Sequence, residues 1–117
     1  MRESLQRVRE MLDRAILIEQ ICAENGGIVK SLQDSKLAQP AIIMHLIVIQ
    51  EQIAKLQDNA EFDILNRFSR ASLRGLATIR NIASHDYEGL NFSIIKEVIR
   101  SYLPAFKKEL QGVLGIL

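Results

Sequence analysis

The sequence contains no tryptophan, four phenylalanines, two tyrosines, two prolines and one cysteine among its 117 residues. With so few aromatics, the core must be filled by Ile, Leu, Val and Ala, a composition that suits helix packed on helix. The lone cysteine, Cys22, has no internal disulfide partner. In Gln20-Ile21-Cys22-Ala23 it reads as the end of an apolar helix face, which fits a reducing cytoplasm. An excess of one charge is also lacking: 15 basic against 14 acidic residues leave a net charge of +1. No global field therefore draws the surface onto nucleic acid or an anionic membrane, and any RNA contact has to be local. The densest apolar run, residues 41–49, is interrupted by His45 and is about half of the ~20 residues a membrane span needs. Met1-Arg2-Glu3-Ser4 leads directly into mixed charged and apolar residues instead of an export signal's apolar core. These readings predict one all-α domain over residues 1–117, located in the cytoplasm, with no contact to membrane.

What is present is helical periodicity. Over residues 5–23 the apolar positions Leu5, Val8, Leu12, Ala15, Ile16 and Cys22 recur mostly at three- and four-residue steps. Asn25-Gly26-Gly27 ends this first helix, and residues 28–32 form a short connecting piece. A second helix is predicted to start between Asp34, a good N-cap residue, and Pro40, which is tolerated in a first turn, and to end at Leu56 or Asp58. Within it Ala41, Ile42, Ile43, Met44, Leu46, Ile47, Val48 and Ile49 point in nearly every direction around the axis, more than one core-facing stripe requires. A second covered face is implied, and in so small a chain it reads as the interface of a symmetric homodimer. Residues 58–69 are mixed and weakly periodic. Residues 71–84 read as a third helix with Leu73, Leu76, Ala77 and Ile79 or Ala83 inward, despite Gly75. After a turn over residues 86–91, Ile95, Val98 or Ile99, Tyr102, Phe106, Leu110 and Val113 mark a fourth helix that Pro104 should kink or divide. The expected architecture is an antiparallel up-and-down bundle of four to five helices, homodimeric.

Polar chemistry concentrates in Arg80-Asn81-Ile82-Ala83-Ser84-His85-Asp86-Tyr87. Arginine offers a permanently charged fork suited to phosphate oxygens, and histidine exchanges a proton near neutral pH. On a regular helix Arg80 and His85 project roughly 140° apart, whereas Asn81 and His85 share a face. Convergence of the pair thus requires the helix to unwind before His85, or a second subunit to complete the site. Arg80 and His85 taken alone also fit a simple interaction with a helix C-terminal dipole. Elsewhere, His45 in its apolar run reads as a hydrogen-bonded interior or interface histidine. Arg2, Arg7, Arg9 and Arg14, alternating with Glu3, Glu10 and Asp13, read as a solvated helix face, and Tyr102 as packing.

At Arg80, Asn81 and His85 the chain resembles the HEPN superfamily, which is known by an Arg, a following polar residue and a His four to six positions on. The longer spacing Arg80-x4-His85-x-Tyr87 resembles the HepT-like toxins of that superfamily. Looser similarity covers Ile49-Gln50-Glu51-Gln52-Ile53-Ala54-Lys55-Leu56 and Leu103-Pro104. The sequence departs from the pattern at Ser72-Leu73, where relatives commonly carry an aromatic, and at Gln50, where a small Gly is usual. The resemblance implies a metal-independent RNA endonuclease toxin that cleaves RNA through its own 2′-hydroxyl. It implies His85 as general base or acid, Arg80 as holder of the phosphate and Asn81 as orienting group. It further implies a nucleotidyltransferase antitoxin that attaches AMP to Tyr87, placing phosphate beside Arg80 and His85 and blocking the site. The chain shows no Gly-rich phosphate loop and no ligand cluster, so it needs no cofactor of its own; ATP and a divalent metal belong to the partner's reaction.

The near-neutral charge and sparse aromatics leave a second class of function open: a noncatalytic dimeric helical module that binds the nucleotidyltransferase and presents Tyr87. A ligand- or metal-binding bundle ranks lowest, because the inward carboxylate and histidine pattern of such sites is missing.

Overall fold

The computed structural model describes residues 2–80 and 91–116. Among them every regular element is helical and none is a strand. The elements are α1 (Arg2–Glu24), α2 (Ile28–Gln33), α3 (Ala38–Asp58), α4 (Phe62–Leu65), α5 (Arg70–Ala77), α6 (Phe92–Glu97), a π-helical turn (Val98–Tyr102) and α7 (Leu103–Leu114).

Each boundary has a local cause. Gly26 and Gly27 have positive φ angles of 83° and 114°, so the chain leaves α1 through backbone that few other residues adopt. The Asp34 carboxylate accepts hydrogen bonds from the backbone N–H groups of Lys36, Leu37 and Ala38 at 3.1–3.3 Å, satisfying donors that open α3. These bonds, that from Ala38 foremost, hold the Asp34 carboxyl below the usual carboxylate range. Asn91 caps α6 by accepting from Ser93 and Ile94. The fourth helix is divided as Pro104 requires, but ahead of the proline. The Leu103 N–H reaches back five residues to the Val98 carbonyl, and the widened turn absorbs the irregularity imposed by a residue with no N–H of its own.

α1 and α3 run antiparallel, because Arg7 meets Gln52 and Arg14 meets His45 along their shared side. Val8, Met11, Ala15 and Ile18 of α1 interleave with Ile42, Leu46, Ile49 and Ile53 of α3 and with Phe106 and Leu110 of α7, all essentially inaccessible. Full burial of one such side chain contributes about 1.5–3 kcal/mol, so this layer dominates the stability of the fold. Phe68 and Phe106 meet with ring centroids 4.9 Å apart, closing the end beneath α5.

One expectation needs correction. Ala77 lies exposed, and the buried positions of this stretch are Ser72, Gly75 and Leu76 of α5 and Ile79 just beyond it. That arc spans positions at i, i+3, i+4 and i+7, so the small residues set the phase and the apolar Ala77 falls outside it. The expected third helix, residues 71–84, is interrupted within its described part, and its end lies outside the described residues. Its regular hydrogen bonding breaks at Thr78, whose hydroxyl donates to the Gly75 carbonyl at 2.6 Å, before helical backbone resumes at Ile79 and Arg80.

Candidate functional site

Arg80 is exposed three residues beyond α5, an element anchored at its start. Ser69 caps α5, its hydroxyl accepting from the Ser72 N–H at 3.1 Å. The Ser69 N–H donates to Glu109 Oε1 at 3.2 Å, and Arg67 donates to the Gly112 carbonyl at 3.0 Å, so both residues ahead of α5 are tied to α7. Leu76 and Ile79 sink into the core on the other side. Gly75 is the position of closest approach: a Cβ added there would fall on the ring of Tyr102. The phenol ring occupies the space a side chain would need, which locks α5 against the π-helical turn. Tyr102 is therefore packing, as its periodicity predicts. Asn81, His85 and Tyr87 lie outside the described residues, as does the question of how Arg80 and His85 converge.

Two hollows lie along α6. The larger, about 490 Å³, has Val29, Leu32 and Gln33 of α2 on one side and Phe92, Ser93 and Lys96 of α6 on the other. The second, about 400 Å³, is lined by Thr78, Ser93, Glu97 and Tyr102 among others. Ser93 borders both, and Thr78 precedes Arg80 by two positions. Phe92 escaped the sequence reading: it sits one turn ahead of buried Ile95 on the inward phase, yet it is 45 % exposed, because the core ends before that turn.

The remaining candidates have structural partners. His45 Nδ1 lies 3.0 Å from an Arg14 guanidinium nitrogen, and Arg14 Nε is 3.0 Å from Glu10 Oε1. Burial first, then the neighbouring Arg14, holds the imidazole below its usual range, with Glu10 opposing. The Cys22 thiol is pushed up chiefly by burial, which keeps it in the less reactive protonated form. Gln50, where the HepT-like pattern has a small residue, is buried, and its Oε1 has no hydrogen-bond partner among the described residues. Among the described residues no three His, Cys, Asp or Glu side chains gather closely enough to hold a metal ion. Among the same residues no helix is long and apolar enough to cross a membrane.

Comparison with known proteins places this arrangement in a family. The family described as "Ribonuclease HepT-like" matches residues 1–113. A protein of Methanocaldococcus jannaschii whose name assigns it provisionally as an RNase is 30 % identical over 83 residues, covering 71 % of this chain and 64 % of that protein. The chain thus spans under two thirds of that relative's length. None of the solved structures matches it significantly. With the family match running through every described helix and across the Arg80-x4-His85-x-Tyr87 segment, the chain belongs to the HepT-like ribonuclease family.

Proposed function

We propose that the chain is the toxin of a toxin–antitoxin pair, a metal-independent RNA endonuclease acting in the cytoplasm. The observation that carries this reading is the family match over residues 1–113, coinciding with the full Arg80-x4-His85-x-Tyr87 spacing. The exposed position of Arg80, just beyond the helix that Ser69 ties to α7, supports it. In this mechanism His85 takes the proton from an RNA 2′-hydroxyl as the oxygen attacks the adjacent phosphorus. The P–O5′ bond breaks, leaving a 2′,3′-cyclic phosphate on one fragment and a 5′-hydroxyl on the other. Arg80 holds the phosphate and stabilises the charge that develops on its oxygens, and Asn81 orients His85 or the phosphate. The proton for the leaving oxygen comes from a second histidine if two copies of the segment face each other across a homodimer.

Support for the homodimer comes from α3. Leu37, Ala41, Met44 and Val48 fall within an arc of about 60° on the side opposite its buried face. Leu37, the N-cap residue, is 76 % and Met44 52 % exposed, while Ala41 and Val48 are half-buried, so part of this side is left uncovered in a single copy.

The cognate antitoxin is proposed to be a nucleotidyltransferase that adds AMP to Tyr87, using ATP and a divalent metal held by that partner. A phosphodiester on Tyr87 brings negative charge to the place where substrate phosphate binds. The test has two readouts on one preparation. After phosphodiesterase treatment the protein should cut total RNA in EDTA to ends carrying cyclic phosphate. After incubation with the nucleotidyltransferase and ATP, its mass should rise by whole AMP units and cutting should stop. A Tyr87→Phe variant that gains the same mass would contradict the modification site, and fragments with 5′-phosphate ends would contradict the mechanism.

A further inference from the structure

We propose that the 490 Å³ hollow between α2 and α6 is a subsite for one nucleotide of the RNA, with Phe92 as its stacking platform and Lys96 as its phosphate contact. The inference rests on the ribonuclease reading and extends it to residues outside the motif.

The volume falls within the roughly 300–1,000 Å³ typical of small-molecule sites. One wall presents an aromatic ring with 45 % of its surface open, and Val29, itself 48 % exposed, stands on the opposite wall. An apolar slot with a flat aromatic face accepts any nucleobase by stacking. Gln33 and Ser93 add hydrogen-bonding groups for a base edge. Lys96 is the one charged side chain among the described residues of the wall, and its sign complements a phosphate. It adds a local cationic contact to the one proposed for Arg80, as a chain of net charge +1 has no global field to hold RNA. Ser93 also borders the second hollow, which is lined by Thr78, two residues before Arg80, and by the carboxylate-bearing Glu97.

The test titrates ¹⁵N-labelled protein with AMP, GMP, CMP, UMP and inorganic phosphate. Phe92→Ala, Phe92→Tyr and Lys96→Gln are then compared, after circular dichroism has shown equal helicity. At least one nucleotide should give saturable shifts at the Val29, Leu32, Ser93 and Lys96 amides. Phe92→Ala should weaken that binding about tenfold and Phe92→Tyr restore it, as loss and return of a stacking face require. In cleavage assays Phe92→Ala should raise KM for single-stranded RNA by a similar factor. Shifts produced equally by phosphate alone, shifts that track protein concentration instead of nucleotide, or an unchanged KM would each overturn the subsite. The two claims separate cleanly. An inert His85→Ala beside a Phe92→Ala enzyme of unaltered KM removes the subsite and keeps the ribonuclease. Intact nucleotide binding beside a His85→Ala protein that still cuts RNA does the reverse.

Discussion

Arg14 carries two contacts at once, donating from Nε to Glu10 and from a terminal nitrogen to His45 Nδ1. A guanidinium has no acceptor, so His45 Nδ1 must supply the lone pair, and the ring proton resides on Nε2. The contact therefore exists only while the imidazole is neutral. Its pKa lies below the ordinary 6.5 in the folded state, so the unfolded chain binds the proton first as pH falls. The stabilising contribution is complete above the ordinary histidine value and is lost as the pH drops through the lowered one. The Tm of the wild type should consequently fall between pH 7 and pH 5 by more than that of His45→Gln, which keeps an acceptor but does not titrate. His85 is present in both proteins and drops out of the difference; equal slopes would show that burial and Arg14 together do not hold His45 below its ordinary value. The sequence identified His45 as a hydrogen-bonded residue from its apolar setting, but its partner, 31 positions away, became visible only with α1 and α3 side by side.

Helix α1 was legible because it buries one face over many turns, so a 3.6-residue period has room to declare itself, and α3 because Asp34 and Pro40 mark the start of a long apolar run. α4 was not, since four residues make a single turn with no period to detect. The break at Thr78 was hidden for another reason: threonine is compatible with a helix until its hydroxyl competes for a carbonyl three residues back. Gly75 looked like a weak point in a helix and is instead the socket for Tyr102. Because a π-helical turn delivers that ring, two irregularities nearly thirty residues apart in sequence explain each other. Gly75→Ala should destabilise the protein by about 1–3 kcal/mol, the usual cost of overpacking, as measured by urea unfolding. Combining it with Tyr102→Ala should cost clearly less than the sum of the two single changes, since either one alone disrupts the same contact. Strict additivity would mean that the ring does not set the position of α5.

At the level of the whole molecule, the uncovered stripe on α3 and the exposed Arg80 belong to one expectation, that two copies build the functional unit. Met44→Lys places a charge in the middle of the stripe while leaving the core face of α3 untouched. In sedimentation analysis it should shift the protein from twice the chain mass to one, with helicity retained; an unchanged dimer would locate the interface elsewhere. The all-α class and the family were readable because helical periodicity and the motif spacing are properties of the chain itself. The hollow beside α6 was not, because it arises where α2 and α6 meet without filling the space between them. The most direct test of the central claim compares degradation of total RNA by phosphodiesterase-treated wild type and His85→Ala in EDTA, at equal helicity and with unmodified mass verified. The account requires cleavage by the wild type and a loss of at least about 100-fold in the variant, the usual scale for a general acid–base group. Equal cleavage by both, or none by an unmodified dimeric wild type, would contradict it and leave a noncatalytic binding module in its place.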